Sequence, residues 1–320
     1  MPDRVRDSMS NIEKSSTDWQ PDIDRSVADY NEWYLQHAPE LWADARGRAV
    51  DAVADAMQLT DNFRSLTADA LQYNPSLVNV ARIAVAPPWA RDRLISFAGV
   101  SPNLVRSMEL DNCLPPRARG TYGQLEQIVG VVNTALDPGL FVWLPDNRAP
   151  TADERDRALL LLGERLTRNF YDPLLKNALE RRQKTLMRAW LTDRDFVESQ
   201  APAFDLQPGQ FGLGRNVVAV REDGQRQNLP TDAVIRPIDE ALPLVCLEMK
   251  SAGDFTNVNK RRKEESDKHD AYERAHGESV VMLLQLFGYF DRNYLGFEAA
   301  AGIDWAWDHR LEDLDEYFGL

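Results

Sequence analysis

An acid and an amine stand two positions apart at the end of an apolar run, Leu244-Val245-Cys246-Leu247-Glu248-Met249-Lys250. In an extended chain side chains alternate between faces, so Leu244, Cys246, Glu248 and Lys250 share one face while Val245, Leu247 and Met249 take the other. Charged groups ending a strand otherwise suited to a core are costly unless each has a partner. Upstream, Asp232 lies in a second strand-like segment, Gln225 to Arg236. If the two segments pair antiparallel, the carboxylates of Asp232 and Glu248 converge. Two hard oxygen donors with room for water suit Mg²⁺, which takes one or two protein carboxylates and keeps several waters. The chemistry this implies is metal-assisted phosphodiester hydrolysis. Asp232 and Glu248 would be the metal ligands, and Lys250 would position or help deprotonate the attacking water and offset charge at phosphorus. An acid-x-lysine triplet is expected on the order of once by chance in a chain of this composition. Glu248 and Lys250 are also compatible with a plain salt bridge at a strand end.

The residues that follow extend the first reading. Ser251-Ala252-Gly253 is small enough to let the backbone approach something closely. Lys260, Arg261, Arg262 and Lys263 then stand at a helix start, where cations oppose the helix dipole unless an anion compensates them. Phosphate is the natural anion, which makes these four, with Asn257 and Asn259 just ahead of them, the candidate DNA contacts. A solvated helix whose Glu264, Glu265 and Asp267 pair with the cations is the competing account. Four of the seven lysines in the chain, Lys250, Lys260, Lys263 and Lys268, fall in this one stretch. Gln285 and Tyr289 have a spacing seen near nuclease sites but fall on or near a strand, and read as coincidence. A further acid such as Glu198, on a preceding helix, could join the metal site, a point the sequence leaves open, and Trp305 and Trp307 read as core.

These residues need elements to hold them. From about Asp24 to Arg194 the apolar spacing is helical, with Val27, Tyr30, Trp33 and Tyr34 on one stripe and Leu41, Ala45, Ala49, Val53 and Ala56 on another. Ser101-Pro102 reads as an N-cap with proline at the first helical position. Thr151 to Glu154 is a capping box opening a run through Leu159, Leu162 and Leu166, and Asp172-Pro173 restarts a helix. Near Ala201 the texture changes to Pro, Gly and Gln. Gly209, Gly212 and Gly214 read as a loop. Val217 to Arg221 and Gln225 to Arg236 form a hairpin about Asp223-Gly224, which suits a type I′ turn. Leu244 to Lys250 is a third strand, Asn257 to His276 a helix stopped by Gly277, and Ser279 to Phe287 a buried strand. The fold class is α+β, with residues 1–200 mainly helical, for DNA recognition or dimerisation, and residues 201–320 a catalytic core with a central mixed sheet flanked by helices.

Bulk properties exclude much else. At 320 residues, 43% hydrophobic and 28% charged, the composition is that of a soluble globular protein. No apolar run is long enough to span a bilayer and no secretion signal opens the chain, so a cytoplasmic location without membrane contact is expected. Two distant cysteines and four histidines lack zinc spacing. There is no phosphate loop, nucleophile elbow or dinucleotide fingerprint. The net charge of −14 argues against wholesale coating of nucleic acid and leaves a local basic cleft open.

The run from Pro230-Thr231-Asp232 through Glu248-Met249-Lys250 into Ser251 to Glu265 resembles the XamI-type restriction endonucleases, members of the PD-(D/E)XK nuclease superfamily. Further stretches are similar to that family: Pro87-Pro88-Trp89-Ala90-Arg91-Asp92-Arg93-Leu94, Gly288-Tyr289-Phe290-Asp291, Tyr294-Leu295-Gly296-Phe297-Glu298 and Gly302-Ile303-Asp304-Trp305. One departure is that Thr231 intervenes between Pro230 and Asp232. The resemblance implies a restriction-endonuclease-like core and a type II restriction enzyme that needs Mg²⁺, with Asp232, Glu248 and Lys250 catalytic. It also implies double-stranded DNA as substrate, a short palindrome such as GTCGAC as target, a homodimer to match it, and a cognate DNA methyltransferase as genetic partner. A structure-selective or repair nuclease on the same core, or a non-catalytic DNA-binding protein, are the alternatives.

Overall fold

The computed structural model describes residues 10–115, 121–256 and 258–320, apart from the side chains of 121 and 258–261. Its helices and strands, in chain order, are α1 (Gln20–Leu59), α2 (Ala68–Tyr73), α3 (Leu77–Ala81), α4 (Arg91–Ala98), α5 (Pro102–Asp111), α6 (Thr121–Ala135), α7 (Ala152–Thr192), β1 (Val197–Glu198), β2 (Gln210–Val220), β3 (Arg226–Arg236), β4 (Leu244–Ala252), α8 (Val258–His276), β5 (Val280–Gly288), α9 (Arg292–Ala300), β6 (Asp304–Trp307) and α10 (Asp315–Phe318). Two compact units result. One is Ala38–Leu175; the other joins the residues up to His37 with Lys176–Leu320. This division places the first segment and the later half of α7 with the strands, whereas the texture of the sequence sets a boundary at residue 200. No helix among the described residues is long and apolar enough to cross a membrane.

The unit Ala38–Leu175 is helical and closes around Val53, Met57, Leu71, Val105, Ile128, Trp143 and Leu162. Its string Pro87 to Leu94 packs around charges. Arg82 donates to Glu109 at 2.6 Å and to the carbonyl of Trp89 at 2.9 Å, and Arg91 binds the second oxygen of Glu109. The capping box at α7 forms as its sequence requires: Thr151 N donates to Glu154 Oε2 at 2.8 Å, and Glu154 N to Thr151 Oγ1 at 3.3 Å. The expected restart at Asp172-Pro173 does not occur, because α7 runs through Pro173 as one helix of 41 residues. Buried residues anchor it on both sides of the proline, Leu162 and Leu166 before and Met187 and Leu191 after. One lost backbone hydrogen bond is then too little to end the helix.

In the other unit the six strands lie in the order β1-β2-β3-β4-β5-β6. β2, β3 and β4 pair antiparallel, while β4, β5 and β6 pair parallel. The alternation read along β4 is realised. Leu244 and Cys246 enter a core with Ala271, Tyr272, Leu284 and Trp305, and Val245, Leu247 and Met249 enter another with Met187, Leu191, Leu283 and Phe318. Both Trp305 and Trp307 are buried, as expected of core residues.

Three local expectations are corrected. Gly212 and Gly214 belong to β2 rather than a loop. Gly214, between the paired Leu213 and Arg215 and so opposite Asp232 by register, has φ +60°, a conformation open to glycine that lets the strand bend there. The hairpin does not close by a type I′ turn, since Gly224 has positive φ and Asp223 does not. Gly224 N donates to Arg221 O and Arg221 N to Gln225 O, giving the longer loop in which one left-handed glycine ends the turn. Finally, the close approach at Gly253 is to the protein itself, because an added Cβ would stand 2.7 Å from the Tyr30 hydroxyl.

Candidate active site

Strand pairing brings Asp232, Glu248 and Lys250 to one place. The ladder between β3 and β4 ends at Ala233 and Leu247, and one step further the register sets Asp232 opposite Glu248. Past that point β3 continues against β2 and β4 against β5. Asp232 sits where the two strands part. Its Oδ2 accepts the backbone N–H of Met249 at 2.9 Å, doing what a strand carbonyl would have done. That bond fixes the carboxylate and leaves Oδ1 4.0 Å from Lys184 Nζ on α7; with 26% of the side chain exposed, it is reachable from solvent.

Glu248 is enclosed. The Lys268 ammonium binds its Oε1 and also donates to the carbonyl of Pro230, while Lys250 Nζ lies 3.5 Å from Oε2. A carboxylate at this depth is tolerated only with cations and hydrogen bonds around it, and the two lysines supply them. Lys250 also faces Glu265 Oε1 at 3.8 Å. Burial lowers the Lys250 pKa, but Glu248, Glu265 and Asp232 outweigh it and hold the group above its ordinary value. Held so, the Lys250 ammonium can donate hydrogen bonds and stabilise negative charge. Below it, Gln183 Nε2 donates to the carbonyls of Lys250 and Gln285 and to Asp308 Oδ1, each at 3.3 Å, bracing the ends of β4 and β5 against α7.

Two side chains that contact Glu248 and Lys250, Lys268 and Glu265, were not singled out as site residues from the sequence. Residues 265, 268 and 272 form one stripe of α8 at helical spacing, and Tyr272 is buried with its hydroxyl 2.6 Å from Thr231 Oγ1. The inward stripe thus carries charge, and a helix so polar reads as solvated. The signal available was Tyr272 itself, the one large apolar side chain among Asn259 to His276, which marks the buried face.

The other expectations fare variously. Asn257 lies outside the described residues, as do the side chains of Asn259, Lys260 and Arg261. Arg262 is half-buried with its guanidinium 3.3 Å from the centre of the Phe297 ring, and Lys263 is exposed. Glu198 lies in the short strand β1 rather than on a helix, and is held by Arg188 at 2.8 and 3.1 Å. Gln285 sits on β5, where it donates to Asp308 Oδ1 at 2.7 Å. Among the described residues, the group of three potential metal donors that lie within 4.8 Å of one another is His269, Asp270 and Glu273 on α8, not the acids of the strands.

A mixed sheet flanked by helices, with an acid on one strand facing an acid-x-lysine on the next where their ladder stops, defines a restriction-endonuclease-like core. The chain belongs to the XamI restriction endonuclease family, whose model matches residues 61–307. The type II restriction enzyme SalI of Streptomyces albus G is 38% identical over 306 residues, 93% of this chain and 96% of that one. The type II restriction enzyme XamI of Xanthomonas campestris pv. amaranthicola is 24% identical over 202 residues, 62% of this chain and 68% of its own. The chain is accordingly a type II restriction enzyme. No solved structure matches it.

Proposed function

We propose that this enzyme cuts both strands of double-stranded DNA at a short palindrome, GTCGAC, by Mg²⁺-assisted hydrolysis with Asp232, Glu248 and Lys250 as the catalytic residues. The observation that carries the reading is the register that sets Asp232 opposite Glu248 where the β3–β4 ladder stops, with Lys250 Nζ 3.5 Å from Glu248. The target sequence rests on the family resemblance.

The donor set fits a small hard cation, since two carboxylate residues stand opposite each other by register on neighbouring strands and one of them is reachable from solvent. When bound, Mg²⁺ would lower the pKa of a water and neutralise charge on the leaving oxygen. The remaining work falls to the chain. Asp232 is held in place by the Met249 amide. Lys268 occupies Glu248 Oε1 and must release it for a metal to be held there. Lys250 donates to the attacking water or a phosphate oxygen and stabilises the extra charge on phosphorus.

Digestion of a plasmid with and without Mg²⁺ tests the reading. A discrete fragment set mapping to GTCGAC is expected; cutting confined to branched DNA would show a structure-selective nuclease, and binding without cutting a non-catalytic protein. We place the enzyme in the cytoplasm beside a cognate methyltransferase, and assign recognition or dimerisation to the helical residues 1–200. One catalytic centre per chain and a palindromic target call for a homodimer. Sedimentation with a short cognate duplex should show two chains per duplex, and a one-to-one complex that still makes double-strand breaks would defeat this.

The cluster Asn257, Asn259, Lys260, Arg261, Arg262 and Lys263 is assigned to the DNA, its cations to phosphate rather than bases. Replacing Lys260 and Lys263 by alanine should weaken binding to every duplex alike and flatten the salt dependence by about one counterion per lost contact. A changed target preference at an unchanged slope would mean the cluster reads bases.

A further inference from the structure

Behind the Lys250 ammonium lie two acids that the strand triplet does not account for. Glu265 on α8 and Glu298 on α9 are each only 2% exposed, and their carboxyl groups are hydrogen-bonded to one another. Two ionised carboxylates cannot share a hydrogen bond in such surroundings, so the pair retains a proton. The donors around it decide where that proton sits. Tyr294 donates its hydroxyl to Glu265 Oε2 at 2.6 Å, and Lys250 Nζ stands 3.8 Å from Glu265 Oε1. Glu265 is thus the ionised member and Glu298 the protonated one, donating to it. Three elements set the charges facing Glu298: Glu265 and Arg262 on α8, Lys250 on β4, and its own α9, which adds Tyr294 to the network.

We propose that Glu265 and Glu298 form a one-proton acid pair that fixes the Lys250 ammonium beside Glu248, Glu265 being a positioning residue for cleavage and Glu298 the proton store that keeps the pair at a single negative charge. The inference rests on the nuclease reading of Lys250. With one charge behind it, Lys250 is shared between Glu248 at 3.5 Å and Glu265 at 3.8 Å. Loss of the proton doubles that charge and draws the ammonium away from the reacting phosphate. Burial, followed by the charge of Glu265, pushes the Glu298 carboxyl up to about 8, against the pull of Arg262 and Lys250, so this loss falls in a measurable range.

A carboxyl whose pKa is higher folded than unfolded stabilises the fold fully below the ordinary glutamate value, and that contribution is lost as pH rises towards about 8. Glu298→Gln keeps a hydrogen-bond donor towards Glu265 and cannot ionise; Glu298→Ala removes the donor. Two measurements on the full chain test the pair. Thermal unfolding from pH 5 to 9 should show wild type losing melting temperature relative to Glu298→Gln as pH rises, whatever the chain does to DNA. Single-turnover cleavage by Glu298→Gln should match wild type within about threefold at pH 7 and exceed it by roughly tenfold at pH 9, one unit past the inflection. Glu298→Ala and Glu265→Gln should cleave roughly tenfold or more slowly at pH 7 with DNA affinity unchanged. Parallel unfolding profiles for wild type and Glu298→Gln would overturn the acid pair. A full cleavage rate in Glu265→Gln would overturn its positioning role. A wild type that never cuts DNA, while the unfolding profiles diverge as expected, would overturn the nuclease reading and the positioning role but leave the acid pair standing.

Discussion

Lys250→Arg is expected to lower cleavage of a cognate plasmid by on the order of a hundredfold or more, with folding and DNA binding near wild type. The substitution keeps the positive charge, so an ordinary salt bridge with Glu248 would tolerate it. The site does not offer an ordinary salt bridge. Lys250 Nζ reaches Glu248 at 3.5 Å and Glu265 at 3.8 Å from a side chain 28% exposed. A planar guanidinium needs more room than a compact ammonium and directs its donors in one plane, so it cannot keep both acids and also face a phosphate. Single-turnover rates compared with binding isotherms would separate the two cases. Arginine cleaving at nearly the wild-type rate would reduce Lys250 to an interchangeable charge.

Glu248→Gln should abolish cleavage to below about a thousandth of wild type and also cost on the order of 3 kcal/mol of stability, since it leaves Lys250 and Lys268 without their shared acid. Few active-site substitutions should weaken a fold. This one does because the Glu248 side chain is 7% and that of Lys268 15% exposed, so neither charge can turn to solvent cheaply. The amide keeps the shape and one acceptor, which sets the loss near the low end for a broken buried pair. Urea unfolding measures it directly. Unchanged stability would mean that the lysines find other partners and that the buried triad is not a unit.

Much of this site is legible along the chain because strands expose their logic to counting. Period-two alternation puts Glu248 and Lys250 on one face, and the short connection between Arg236 and Leu244, which suits an antiparallel return, puts Asp232 on the adjoining edge. What escapes is contributed by helices. Glu265, Lys268 and Glu298 reach the site from α8 and α9, and their inward direction depends on which stripe the sheet covers. In α8 that stripe is charged, so hydrophobic periodicity, the usual guide, is silent there. Pro173 shows the same limit from the other side, for local chemistry argues for a break that packing on both flanks overrides. The glycines of β2 mislead for a related reason, because a strand that bends opposite Asp232 needs at Gly214 a residue that in isolation signals a loop.

On the proposed reading, Asp232 and Glu248 together hold the ion beside which Lys250 acts. Asp232→Asn tests it most directly, because the amide can still accept the Met249 N–H that seats the side chain and loses only the ligand charge. Duplex binding without metal, Mg²⁺ binding by calorimetry and cleavage of a GTCGAC plasmid should be measured on the same preparation. Expected are wild-type duplex binding, at least tenfold weaker metal binding, and cleavage reduced by on the order of a thousandfold. Asp232→Asn that binds Mg²⁺ and cuts the plasmid as wild type does would contradict it.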